Sequence, residues 1–189
     1  ASNTPFIAVA GLNSSQFIIA YEDSGDVCGQ AILGDTGNGA GLFAGSQPAV
    51  FNPAKSNSVS TARLPDGRFA IAFGNALRDN EGTVVFGDPA LAPNYFSGSF
   101  RSVFHAGACA SMTAAALSPQ RLIVAWQDLE NSRSGWASVG ELQAHYGWGT
   151  ALGIAASAGT TGDRIPVILE GISSGRSEER RVGKECRSR

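Results

Sequence analysis

Apolar residues along this chain come in short runs, and clusters of Gly, Asn, Asp, Ser and Pro separate them. Phe6-Ile7-Ala8-Val9-Ala10-Gly11-Leu12 is followed by the polar Asn13-Ser14-Ser15, then by Gln16-Phe17-Ile18-Ile19-Ala20-Tyr21. After a loop from Asp23 to Cys28 come Gly29-Gln30-Ala31-Ile32-Leu33-Gly34 and, beyond a Gly-rich connection, Pro48-Ala49-Val50-Phe51. No run keeps a helical period for any length, and each is bounded by turn-forming residues, so the pattern predicts four strands joined by turns. The second of these, Phe17 to Tyr21, is too apolar to have a wet face and is expected to be buried on both sides.

The same pattern is written three times. Phe17-Ile18-Ile19-Ala20-Tyr21-Glu22-Asp23 returns as Phe69-Ala70-Ile71-Ala72-Phe73-Gly74-Asn75 and as Leu122-Ile123-Val124-Ala125-Trp126-Gln127-Asp128, a spacing of 52 and 53 residues. Gly29, Gly82 and Gly135 keep the 53-residue step, as do Gly34, Gly87 and Gly140, and Phe51 with Phe104. Leu12, Leu64 and Leu117 close the first strand of each unit, before Asn13-Ser14-Ser15, Pro65-Asp66-Gly67 and Ser118-Pro119-Gln120. The last two suit tight hairpins, because Pro presets φ and Asp or Gly tolerates the next position. The recurring glycines are expected where a Cβ would not fit or where φ is positive.

Four strands in about 53 residues match a β-propeller blade. The fold class expected is all-β: three four-stranded antiparallel blades at about 5–54, 55–108 and 109–162. Arg164 to Leu169 reads as the opening strand of a fourth, spanning 163–172. The units resemble the F-V-V-A-Y-x-D…G-x-A-x-V-G blades found in tandem in secreted or surface proteins of protists and bacteria. Gly74-Asn75 and Leu122 depart from that pattern. The resemblance covers residues 5 to about 171 and implies a propeller with a non-catalytic binding or adhesive role. A closed ring needs about four to eight blades. The chain is therefore expected to be part of a larger propeller, or to self-associate, since an isolated wedge leaves apolar faces and sheet edges open.

Composition adds little to this reading and removes some alternatives. The chain of 189 residues is 43% apolar and 16% charged with 24 glycines, as in a soluble β protein large enough to hold a core. No apolar run approaches the ~18 residues of a membrane span. The start, Ala1-Ser2-Asn3-Thr4-Pro5, has neither initiator Met nor signal segment, so a mature product or a missing beginning is expected. Residues 1–172 carry a net charge of −5 and residues 173–189 a net charge of +3. An acidic body gives no footprint for nucleic acid. The basic tail 173–189 resembles translated adaptor or vector sequence and is expected to be non-native or disordered.

Candidate chemistry gathers where the second strand of each unit hands over to the third. Asp23 and Asp26, Asp79 and Glu81, and Asp128 and Glu130 are expected on one rim, with Glu22 beside the first pair. They form either an acidic face for a cation, a sugar or a basic partner, or simply a solvated set of loops. No D-x-D-x-D-G run is present, so no cofactor is expected, and calcium is the one metal these loops could serve. Tyr21, Phe73 and Trp126 recur at one position and are read as packing between sheets. Trp136 and Trp148, with Tyr146 nearby, could stack on a sugar ring or belong to packing within the third unit. Ser132-Arg133-Ser134-Gly135-Trp136 lacks the Asp of a sialidase box. Only His105 and His145 are available, and no G-x-S-x-G occurs, so neither a glycosidase nor a serine hydrolase is supported. His105 stands where the first unit has Asn52, which suggests a turn or capping role. Cys28, Cys109 and Cys186 show no metal spacing, and Cys28 with Cys109 form either a disulfide or two isolated thiols. The sequon Asn13-Ser14-Ser15 agrees with a secreted or cell-surface setting.

The expected function is a non-catalytic module for protein or surface interaction. A lectin-like carbohydrate binder, and part of a propeller glycoside hydrolase whose catalytic residues lie elsewhere, are the alternatives.

Overall fold

The computed structural model describes residues 6–99, 101–143, 147–155 and 167–169, with side chains placed as far as residue 140. It is an all-β protein of antiparallel sheets. The expected 163–172 strand is described only at its 167–169 part, and the 173–189 tail lies outside the described residues.

The first sheet is a meander of β1 (Ile7–Gly11), β2 (Gln16–Asp23), β3 (Cys28–Asp35) and β4 (Ala49–Asn52). The four strands expected from the opening pattern are present, each within two residues of its expected ends. The second sheet runs β5 (Ser56–Arg63), β6 (Phe69–Asn75), β7 (Glu81–Gly87), β8 (Arg101–Ser118), β9 (Arg121–Asp128), β10 (Gly135–Gln143), β11 (Gly147–Ala155) and β12 (Val167–Leu169) in hydrogen-bonded order. It is a curled half-barrel. Strand β8 makes the curl: its first part pairs with β7 and its second part, from Cys109, pairs with β9. The chain thus forms three layers: β1–β4, then β5–β7 with the start of β8, then the end of β8 with β9–β11. Strand β12 adds to the outer edge of the third layer through Gly153↔Leu169.

The layers stack face to face through two cores. Between the first and second layers, Leu12, Ile18, Ala20, Ala31 and Phe51 meet Phe69, Ile71, Phe73, Val85 and Tyr95. Between the second and third, Leu64, Ala70, Ala72, Val84 and Phe104 meet Met112, Leu122, Val124 and Trp126. Leu64, Ala70, Ala72, Val84 and Phe104 repeat Leu12, Ile18, Ala20, Ala31 and Phe51 at the 52- or 53-residue step, and Leu122, Val124 and Trp126 repeat Phe69, Ile71 and Phe73. The two interfaces are therefore one interface made twice. We call the face carrying Phe69, Ile71 and Phe73 the leading face of a layer and the opposite face the trailing face.

Strand β6 is buried at every position because it has a layer on both sides, whereas β2 and β9 alternate. The expectation that Phe17–Tyr21 lacks a wet face thus fails in the first layer. Phe17, Ile19 and Tyr21 are only half-buried, because nothing described covers their face. The aromatics bear out the reading of packing between sheets at two of three positions. Phe51–Phe73 rings sit 5.1 Å apart at 58°, and Phe104–Trp126 rings 5.0 Å apart at 54°. Tyr21 instead donates its hydroxyl to Gln30 Oε1 at 2.9 Å on the open face.

The periodic glycines prove to be seats for rings. A Cβ on Gly29 would lie 2.5 Å from the Phe51 ring, and one on Gly82 2.5 Å from Phe104. Gly34 and Gly87 likewise lie under Phe17 and Phe69, at 2.2 Å. Positive φ is found instead at turn glycines such as Gly67 and at Ser58 and Ser111, which occupy matching bulges in β5 and β8. Ser58 Oγ accepts from Ser111 N at 3.1 Å, and Ser60 Oγ accepts from Ala114 N at 3.0 Å, tying the first strands of the two layers together.

Candidate functional site

The hairpins β2–β3, β6–β7 and β9–β10 and the crossings between layers share one rim. Asp26 and Val27 line a cleft of about 450 Å³ with Pro53, Lys55, Ala76 and Leu77. At the next junction Glu130 Oε1 accepts from Ala108 N at 3.1 Å, and Leu129 N donates to Ala108 O at 2.9 Å.

Along this rim the strand-end residues shape the turns. Asp23 Oδ1 accepts from Gly25 N at 2.8 Å, Asn75 Oδ1 from Leu77 N at 3.3 Å, and Asp128 Oδ1 from Glu130 N at 2.9 Å and Asn131 N at 3.1 Å. These are side-chain caps on backbone N–H groups, the local bonding at which Asp and Asn excel. Asp128 is buried and Asp23 half-buried. Asp79 and Asp26 are exposed; Asp79 takes a left-handed φ of 52° at the hairpin tip, and Asp26 Oδ2 lies 3.5 Å from Gln30 Nε2. Glu81 lies 4.0 Å from Arg78. The six acids are thus spread along three hairpins, and among the described residues no group of three or more His, Cys, Asp or Glu is placed to hold a metal ion.

Glu22 does not reach the rim. It lies on the buried side of β2, 2% exposed, opposite Gly29, and its Oε2 has no hydrogen-bond partner. Burial raises its carboxyl pKa, an effect that nearby Lys55 partly opposes.

His105 and Cys109 occupy the places of Asn52 and Ser56. In the first junction Asn52 Nδ2 donates to Ala54 O at 3.0 Å and to Ser56 Oγ at 3.0 Å, a closed turn. In the second, the His105 ring lies tilted at 39° against Trp126, 5.3 Å between centroids, with Nε2 3.7 Å from Asp128 Oδ1, and Cys109 Sγ donates to Asn80 O at 3.2 Å. Burial, then the Asp128 and Glu81 carboxylates, push the Cys109 thiol up to about 12, which favours the protonated thiol at neutral pH. Cys28 and Cys109 are both free and buried, the two-thiol alternative of the sequence reading.

Trp136 is half-buried and packs against the core between the second and third layers. Trp148 stands on β11 opposite Leu142; its side chain lies outside the described residues, as does Tyr146.

The opposite rim holds a feature that the sequence reading missed. The loop after β3 and the loop after β7 fold alike: Asp35 N donates to Leu42 O at 2.8 Å, and Asp88 N donates to Tyr95 O at 2.9 Å. Tyr95 reaches under the first layer, fully buried, where its hydroxyl accepts from Leu33 N and donates to Gln47 O, both at 3.3 Å. Gln47, Pro48, Val50, Pro93, Asn94 and Phe96 border a cleft of about 570 Å³ between the loops. The 53-residue step from Leu42-Phe43 to Tyr95-Phe96 was the available signal.

Comparison with protein-family models, with curated proteins and with solved structures finds no match.

Proposed function

We propose that residues 5–171 are three β-propeller blades and a further strand, β12, that extends the third instead of opening a fourth, forming a non-catalytic module for protein or surface interaction in a secreted or cell-surface protein. Meanders of four strands, first strands lying side by side (β1 against β5, β5 against β8), and the twice-made interface all support a blade stack. The observation that carries the functional reading is the use made of the rim. Its strand-end side chains Asp23, Asn75 and Asp128 hold turns. Residues so employed shape a scaffold that presents loops.

Purified chain applied to a glycan panel, with calcium and with chelator, tests this. The reading predicts no retained sugar and no turnover of glycoside substrates. A sugar retained by the chain and lost in Trp136→Ala would replace it with the lectin reading, and turnover would replace it with the hydrolase.

A further inference from the structure

We propose that the leading face of the first layer is a docking site for the trailing face of the third layer of a second copy of this chain, stacked head to tail. The inference rests on reading the layers as successive blades. The first layer presents Ile7 at 66% and Val9 at 64% exposure, with Leu42 and Phe43 exposed and Phe17 and Ile19 half-buried. Phe69, Ile71, Tyr95 and Phe96 occupy the positions of Phe17, Ile19, Leu42 and Phe43 in the second layer, and there they pack on the first layer's trailing face. At the other end, Leu117 is 56% exposed, whereas Leu12 and Leu64 at its position are 2% and 0%. Ala115 is also exposed, and Ile123 and Ala125 are half-buried beside it on the face that in earlier layers receives a neighbour.

Among the described residues, one molecule thus carries parts of both halves of an interface it already makes twice. Burial of several apolar side chains drives the contact. The two faces differ, so the contact is heterologous and each added copy leaves one face of each kind free, giving a ring if the rotation closes and a filament otherwise.

Native mass measurement and sedimentation of the full chain, with Val9→Asp and Leu117→Asp, test the proposal. Wild type is expected to associate with rising concentration and each variant alone to stay monomeric. An equimolar mixture of the two should give a one-to-one dimer, because one intact leading face and one intact trailing face remain. A wild-type monomer up to its solubility limit, association by either variant alone, or a mixture that stays monomeric would overturn it. Both positions are exposed in the monomer, so the fold is expected to survive, as circular dichroism will show; Ile7→Asp and Ala115→Asp replace either variant that loses its spectrum. A monomeric wild type would leave the glycan and glycoside results, on which the interaction-module reading depends, untouched.

Discussion

Tyr21 and Phe73 stand 52 residues apart at the same place in the same strand pattern, yet they live in different solvents. Phe73 is fully buried against Phe51, while Tyr21 is half-buried and keeps its hydroxyl bonded to Gln30. Nothing in the strand itself makes the difference. It comes from the neighbour: the second layer has the first layer's trailing face against it, and the first layer has no described layer there. Burial in this fold is a property of layer order more than of local sequence.

Truncation should expose this difference most strongly. Phe73→Ala and Trp126→Ala remove a buried ring from the two interfaces and are expected to cost about 3–5 kcal/mol each in urea unfolding. Tyr21→Ala, on the open face, should cost about 1 kcal/mol, the price of a half-exposed ring and one hydrogen bond. Equal costs at Tyr21 and Phe73 would mean that the leading face of the first layer is covered.

Overpacking sharpens the same contrast at smaller scale. A Cβ meets the Phe17 ring at Gly34 and the Phe69 ring at Gly87, each at 2.2 Å. The Phe69 ring is held by Tyr95 at 6.4 Å and Phe96 at 5.9 Å, so it cannot swing away, and Gly87→Ala should lose about 1–3 kcal/mol. Phe17 has Phe43 at 5.9 Å and open space beyond, so Gly34→Ala should lose less than about 1 kcal/mol.

The smallest effect concerns Glu22, where the second and third units have Gly74 and Gln127. Burial holds its carboxyl above the ordinary value of 4.5. The folded chain then keeps a proton at pH values where the unfolded chain has released it, so stability falls as pH rises through that window and is recovered below the unfolded value. Glu22→Gln should raise the unfolding midpoint at pH 7 slightly. The gain should vanish below the ordinary glutamate range, and a gain independent of pH would contradict a buried carboxylate as its source.

Much of the fold was legible in the residues. The 53-residue step located the strands, and the Gly29/Gly82 and Gly34/Gly87 pairs marked places with no room for a Cβ, which the rings of Phe51, Phe104, Phe17 and Phe69 explain. The step did not reveal which face of each strand meets a neighbour, because Phe17 and Phe69 are the same letter in different surroundings. Adjacency to Asp23 likewise suggests a place on the rim for Glu22, but strand alternation turns it inward on the side of Ala20. The rim acids carried the weakest signal, since Asp at a strand end serves a turn as readily as a ligand.

The central claim is that one interface is made twice, and that among the described residues its counterpart faces on the first and third layers are uncovered. Leu12→Ala, Leu64→Ala and Leu117→Ala, unfolded in urea at a concentration where the chain is monomeric, test it most directly. The account predicts losses of about 2–5 kcal/mol for the first two and within about 0.5 kcal/mol of zero for the third. A loss at Leu117 equal to that at Leu64, or a negligible one at Leu12, would contradict it.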